Sequence, residues 1–252
     1  MYYTSVLAIF KNETMNLKLW IEHYLWQGVD HFYLIDNGSE DNPLSILQDY
    51  INKGIVSYYY LPERYKQEEH YRYVFEAERL KEKTYWLIVC DLDEFFYGVD
   101  KKLTTKIKSL ENYYDYILCN WKMFGSDGHI QHPEDIRTAI THRENKLHKL
   151  TKYIFKTAII KDGYQIRIHY LINTPKPLLK RTRIANKLIR LNHYPIQSIE
   201  YFQTVKMTRG DASCSSVDNI RDMKYFNEYD NNETNDETLK NLVLNPPEDY
   251  LL

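Results

Sequence analysis

Short, continuously apolar runs alternate with longer stretches in which apolar side chains recur every three or four positions over the first hundred residues. Residues 5–10 (SVLAIF), 31–36 (HFYLID), 55–60 and 86–90 (WLIVC) have the length and the aromatic and β-branched content of strands. Between the first two runs, Leu17, Trp20, Ile21, Tyr24 and Leu25 stand at i, i+3, i+4, i+7 and i+8, one stripe of a helix. Asn12 or Thr14 can cap it, and Gly28 ends it. After the Asn37-Gly38-Ser39 loop, Pro43 takes the first position of a second helix, which Gly54 closes. Residues 66–83 read as one long charged helix. The β-α-β-α-β-α-β order predicts an α/β fold with a largely parallel sheet covered by helices.

The second half has a looser pattern. Residues 116–121, 153–160, 165–170 and 184–191 are strand-like, 125–128 is a turn, and 196–209 is a helix closed by Gly210. A mixed or antiparallel half is therefore expected. The acidic, Asn-rich stretch after residue 227, with Pro246-Pro247, reads as a loose C-terminal arm. The expected organisation is one domain over 1–226, with halves at 1–98 and 99–226, and the arm at 227–252.

Composition narrows the function. With 43% apolar residues in 252, the chain can build a sizeable core. A net charge of −2 argues against a dedicated nucleic-acid binder. The charge is unevenly spread: residues 141–190 carry thirteen Lys/Arg against two Asp/Glu, and residues 211–252 carry ten acids against three bases. The basic segment suits a diphosphate or a peripheral contact with an anionic membrane surface, and equally a solvated face. The 24 tyrosines fit either AT-biased codon usage or rings that stack on sugars. Cys90, Cys119 and Cys214 form no CxxC pair, and Cys90 and Cys119 lie in apolar runs, as buried thiols would. With no signal-peptide pattern and no apolar run of about 18 residues, a cytoplasmic protein is expected.

The chemistry concentrates at Asp91-Leu92-Asp93-Glu94, directly after the fourth strand. In open α/β sheets ligands bind beyond the carboxyl ends of the strands. Two carboxylates spaced i, i+2 there can offer hard oxygen ligands to Mg²⁺ or Mn²⁺, whose shell substrate phosphates complete. A structural reading, two acids at a strand–loop junction, stands beside it. Phosphohydrolases of the haloacid-dehalogenase type also carry DxD, but after the first strand rather than the fourth.

Several blocks together resemble the GT-A glycosyltransferases of the family 2 and family 92-like type. They are Lys11-Asn12-Glu13, Trp20-Ile21-Glu22-His23-Tyr24, residues 28–33, Asp36-Asn37-Gly38-Ser39, residues 86–95, residues 121–129, and Asn192-His193-Tyr194 with Ser198, Tyr201-Phe202, Lys206 and Arg209-Gly210. They occur in order over residues 5–210, and the tail beyond Asp211 matches nothing recognisable. The resemblance implies a GT-A-like, Rossmann-type nucleotide half with a mixed central sheet and a smaller acceptor half. It implies a hexosyltransferase that uses a nucleotide-diphosphate sugar, UDP-linked, and a glycan or glycolipid acceptor. Lys11, Asn12, Glu13, Asp36 and Asp91 would hold the nucleotide, Lys206 and Arg209 the diphosphate, and Asp91, Asp93 and His193 a Mn²⁺ or Mg²⁺ ion. An inverting transfer needs a base; Asp127, in a Gly-flanked turn, is the first candidate, with Asp211 and Glu94 as alternatives. A metal-dependent phosphohydrolase and a non-catalytic sugar-binding module are the competing classes.

Overall fold

A computed structural model describes residues 1–161, 163–172, 180–210, 212 and 220–250. Asp211 and Cys214 lie outside the described residues. The expected first half forms with small shifts of boundary: β1 (Tyr2–Phe10), α1 (Thr14–Trp26), β2 (His31–Asp36), α2 (Leu44–Asn52), β3 (Val56–Tyr60), α3 (Gln67–Ala77), α4 (Leu80–Lys83) and β4 (Thr84–Val89). The long charged helix is broken in two, because Arg79 adopts a left-handed backbone with φ 55°.

β1, β2, β3 and β4 pair in parallel, in the order β3-β2-β1-β4. Their side chains alternate between two cores. Val6, Ala8, Phe32, Leu34, Trp86 and Ile88 face the α1 side with Leu17, Trp20, Ile21 and Tyr24. Leu7, Ile9, Tyr33, Ile35, Leu87 and Val89 face the α3 side with Tyr71, Val74 and Phe75. Burial on both faces is why these strands read as continuous apolar runs.

The second half extends the sheet with β5 (Glu94–Gly98), β6 (Tyr116–Met123), β8 (Thr151–Lys156), β11 (Thr182–Ile184) and β12 (Ile189–His193); β7 (His142–Arg143), β9 (Gln165–Ile166) and β10 (Leu171–Ile172) are two-residue strands outside it. The order continues β4-β8-β6-β12-β5, with β4–β8, β8–β6 and β12–β5 antiparallel and β6–β12 parallel. β5 begins five residues after β4 ends yet lies four strands away. Four spacings of about 4.8 Å in a flat sheet would need about 19 Å, and five residues reach about 17 Å at most. The sheet therefore curls, and the turn carrying Asp91 and Asp93 spans its mouth. The expected strand at 184–191 is instead two, β11 and β12, which pair successive parts of the same edge of β6.

The loose C-terminal arm is corrected. Before this stretch comes α5 (Ile199–Tyr201), continued as a π-helix over Phe202–Lys206; residues after 220 form α6 (Met223–Tyr229), β13 (Thr234–Asn235) and α7 (Thr238–Leu244). β13 pairs with β7. Asp236 is buried against Lys122 and Arg143. The Tyr250 ring packs on Trp26 at 4.9 Å, and its hydroxyl donates to the carbonyls of Gly98 and Lys101. Of the acids in this stretch, Asp236 pairs with Lys122 and Arg143, Glu237 with Lys240 and Asp249 with Lys101. Among the described residues no helix is long and apolar enough to cross a membrane.

Candidate active site

The helix α1 holds the acidic turn by its backbone. Trp20 Nε1 donates to the carbonyls of Asp91 (3.1 Å) and Glu94 (3.0 Å), and the Tyr24 hydroxyl donates to the Glu94 carbonyl and accepts from the Phe96 N–H. His23 Nε2 lies 2.8 Å from the Phe96 carbonyl. The stripe that sequence periodicity marks as core thus has polar tips that fix the turn. From the other side the Tyr194 N–H donates to the Asp93 carbonyl at 2.8 Å.

The three acids of the turn have different surroundings. Asp91 accepts from Lys152 Nζ at 2.7 Å, and Lys152, fully buried on β8, also lies 3.6 Å from Glu94 Oε2. Glu94 Oε2 accepts the Asp91 N–H, while Glu94 Oε1 is buried without a hydrogen-bond partner. Burial pushes the Glu94 carboxyl well up, with Asp91 and Asp93 adding to it against Lys152. Burial also works against the Lys152 charge, but Asp91 and Glu94 outweigh it and hold the ammonium. Asp93 is buried too, yet Lys206 and His193 hold it well below the usual carboxylate range.

Asp93 Oδ2 accepts from Lys206 Nζ at 2.7 Å. Its Oδ1 is buried with no hydrogen-bond partner and lies 3.5 Å from His193 Nε2, too far for a good hydrogen bond. His193 sits at the end of β12, opposite Glu94 on β5. Its Nδ1 is 3.3 Å from Met123 Sδ. One ligand atom each from Asp93, Glu94 and His193 falls within a 4.8 Å group. Two partnerless carboxylate oxygens and an imidazole nitrogen make a donor set that could hold a divalent cation. The structure thus brings the expected Asp93 and His193 together and adds Glu94, while Asp91 is occupied by Lys152.

The expected phosphate-binding residues converge on the same place, through Glu13. Its carboxylate accepts from the Tyr201 hydroxyl at 2.8 Å and from Arg209, with Lys206 at 3.8 Å. Arg209 also donates to the Lys11 carbonyl. Glu13 is therefore an organiser of cations. A cavity of about 220 Å³ is lined by Lys11, Glu13, Asp91, Asp93, Lys206 and Arg209, together with Asn37, Gln67, Trp121, His169, His193 and Arg221. Asn12 and Asp36 do not line it. Asn12 accepts the Glu40 N–H, and Asp36 accepts the Ser39 N–H and the Tyr58 hydroxyl, both at 2.7 Å. Both residues fix the loop that presents Asn37.

Asp127 does not fit the part of catalytic base. Its carboxylate accepts the N–H groups of Thr141 (2.7 Å) and His142 (2.9 Å) and the Thr141 hydroxyl, and it does not line the cavity. Burial raises its pKa, but those hydrogen bonds prevail and hold it low, which makes a weak base. The turn is also covered: Ser126 and Asp127 donate to Asp230 and Asn232, and a Cβ on Gly125 would stand 2.2 Å from Asn232 Oδ1. The glycine admits the C-terminal segment, not an acceptor.

Sequence reasoning missed Lys152 and His169. A lysine in register with the inward residues of an apolar strand signals a buried ion pair, but the strand was expected to start at residue 153, two residues late and just past Lys152. His169 and His193 pack on Trp121 at 5.1 and 4.4 Å, with His148 stacked on the same indole at 5.4 Å.

The sequence profile of glycosyltransferase family 92 matches residues 2–250. The match includes the C-terminal segment that the motifs left unassigned. No curated protein matches. Among solved structures, S. aureus TarS 1–349 aligns at 16% identity and TM-score 0.41, covering 64% of this chain and 49% of that one. S. aureus TarS 1–349 in complex with UDP aligns at 15% and 0.46, covering 80% and 63%, and a further S. aureus TarS structure at 14% and 0.47, covering 77% and 37%. The chain thus spans about half the length of the first of these. At such scores the likeness says nothing about the ligands of this chain.

Proposed function

Because the chain belongs to glycosyltransferase family 92, we propose that it moves a sugar from a nucleoside-diphosphate sugar, uridine-linked, to a hydroxyl of a glycan or glycolipid, with inversion and with Mn²⁺ or Mg²⁺ as cofactor. The observation that carries this reading is the buried, partnerless Asp93 Oδ1 beside His193 Nε2, in a cavity that also holds Lys206 and Arg209. Asp93 and His193, with Glu94 or a displaced Asp91, would hold the cation; when bound it neutralises charge on the departing diphosphate. Lys206 and Arg209 bind diphosphate oxygens, and Glu13 keeps both cations in place. Lys11 and Asn37 border the nucleotide, on a loop fixed by Asn12 and Asp36.

The acceptor hydroxyl must lose a proton as its oxygen forms the new bond to the anomeric carbon. His169 supports that role. Its Nδ1 lies 3.2 Å from the Thr151 carbonyl, a contact that selects the Nδ1–H tautomer and leaves the Nε2 lone pair free. Burial, then Lys152, holds its pKa below the ordinary value and keeps the ring neutral. His169 Nε2 takes the proton as the bond from the anomeric carbon to the diphosphate oxygen breaks, and the electron pair leaves with the diphosphate.

A thermal-shift screen of nucleotide sugars with and without Mn²⁺ tests the reading. A transferase is stabilised by a nucleotide sugar and Mn²⁺ together, and releases nucleoside diphosphate when a glycan acceptor is added. Release of inorganic phosphate without acceptor, or stabilisation by glycans regardless of metal, contradicts it.

A further inference from the structure

A second cavity lies across the sheet from the active site. Arg190 precedes His193 by three residues on β12. Side chains alternate along a strand at about 3.3 Å per residue, so Arg190 points to the opposite face, about 10 Å along the strand. The cavity there measures about 710 Å³ and is lined by Arg143, Arg190, Asn235, Asp236, Asn241 and Asn245, among others. It shares no lining residue with the cavity around Asp93. It is a shallow depression open to solvent rather than an enclosed pocket.

Its charge is unbalanced. Asp236 Oδ2 accepts from both Lys122 Nζ and Arg143 Nε at 2.7 Å. Arg190 adds a third cation, and its Nε is buried with no hydrogen-bond partner among the described residues. The remaining acid of the lining, Glu237, pairs with Lys240 at 2.8 Å. Two cations thus pair with Asp236, and Arg190 makes no ion pair among the described residues. Lys122 registers the crowding: burial pushes its pKa down to about 8, with Arg190 and Arg143 contributing against the pull of Asp236. Arg190 is half-buried and lacks an acidic partner among the described residues, so an anion beside it gains a charge-assisted contact. A guanidinium fork matches phosphate geometry, and neighbouring carboxamides both donate to and accept from hydroxyls.

We infer that this cavity is a second, non-catalytic binding site for a phosphate group carried on a sugar, with Arg190 on the phosphate and Asn235, Asn241 and Asn245 on the hydroxyls. The site does not depend on the transferase reading, since its evidence lies in other residues. Calorimetric titration of the full chain with glucose 1-phosphate, inorganic phosphate and glucose tests it. Wild type should bind glucose 1-phosphate more tightly than phosphate, and glucose not at all. Arg190→Gln should weaken glucose 1-phosphate at least tenfold. Asn241→Asp, which places a carboxylate on an exposed helix position, should do the same by repulsion and carries the test if Arg190→Gln does not fold. His193→Ala, altered only in the other cavity, should retain binding. The inference is overturned if wild type does not bind at millimolar concentration, if Asn241→Asp or a folded Arg190→Gln binds like wild type, or if binding disappears in His193→Ala.

Discussion

Lys206 Nζ lies 2.7 Å from Asp93 Oδ2, so one oxygen of this buried carboxylate is committed to an ammonium while Oδ1 has no partner. On the proposed reading this pairing would divide labour, with one oxygen anchoring Lys206 for the diphosphate and the other left for a cation. Lys206→Met should weaken donor binding by about tenfold or more, as expected for a lost charged hydrogen bond of about 1.5–3 kcal/mol. Mn²⁺ binding measured without donor should persist. Loss of Mn²⁺ binding with unchanged donor affinity would contradict the division.

Lys152 is completely buried between Asp91 and Glu94. Removing one partner of a buried ion pair costs about 3–5 kcal/mol, because the other charge is left stranded. Lys152→Met should lower the denaturant midpoint accordingly, and adding Glu94→Gln should restore part of the loss. Strictly additive losses would show that Lys152 and Glu94 do not act on each other.

His169 and Asp127 separate in a paired comparison. His169→Asn keeps a donor for the Thr151 carbonyl but removes the Nε2 lone pair. It should reduce turnover by roughly 10²–10⁴-fold with donor affinity intact, and flatten the acid limb of the pH–rate profile. That limb reflects His169 among Lys152, Asp91 and His193, the charged groups nearest it. Asp127→Asn should instead cost stability and leave turnover nearly unchanged. The reverse pattern would return the base to Asp127.

Burial pushes the pKa of His23 down from 6.5 to about 3. Between those values the unfolded chain binds a proton that the native chain does not, so native stability is complete above about 6.5 and falls with pH, by about 1.4 kcal/mol per unit. His23→Gln can still donate to the Phe96 carbonyl and should remove this slope between pH 4 and 6. Parallel stability curves for the two proteins would refute the assignment.

The first half was readable because β1, β2 and β4 are buried on both faces and α1 on one, which leaves unmixed periodicities. β5 was not legible: its residues, Glu94–Gly98, read as the tail of a metal motif, and its pairing with β12 depends on the curl of the sheet. Asp93 and His193 stood out by position after apolar runs. Lys152 did not, since nothing in one strand announces which carboxylates it will meet. Asp127 misled because an acid flanked by glycines looks the same in a catalytic turn as in one that anchors Thr141 and His142.

The central claim is that Asp93 makes the chain a cation-dependent glycosyltransferase. It is tested most directly by measuring nucleoside-diphosphate release from a nucleotide sugar in the presence of acceptor, in Mn²⁺ and in chelator, for wild type and Asp93→Ala. Removing a ligand of a cation that carries leaving-group charge should cost several kcal/mol in the transition state. Wild type should turn over only with Mn²⁺, and the folded variant should fall to the chelator baseline in both buffers. Near-normal turnover by Asp93→Ala, or by wild type in chelator, would contradict the account.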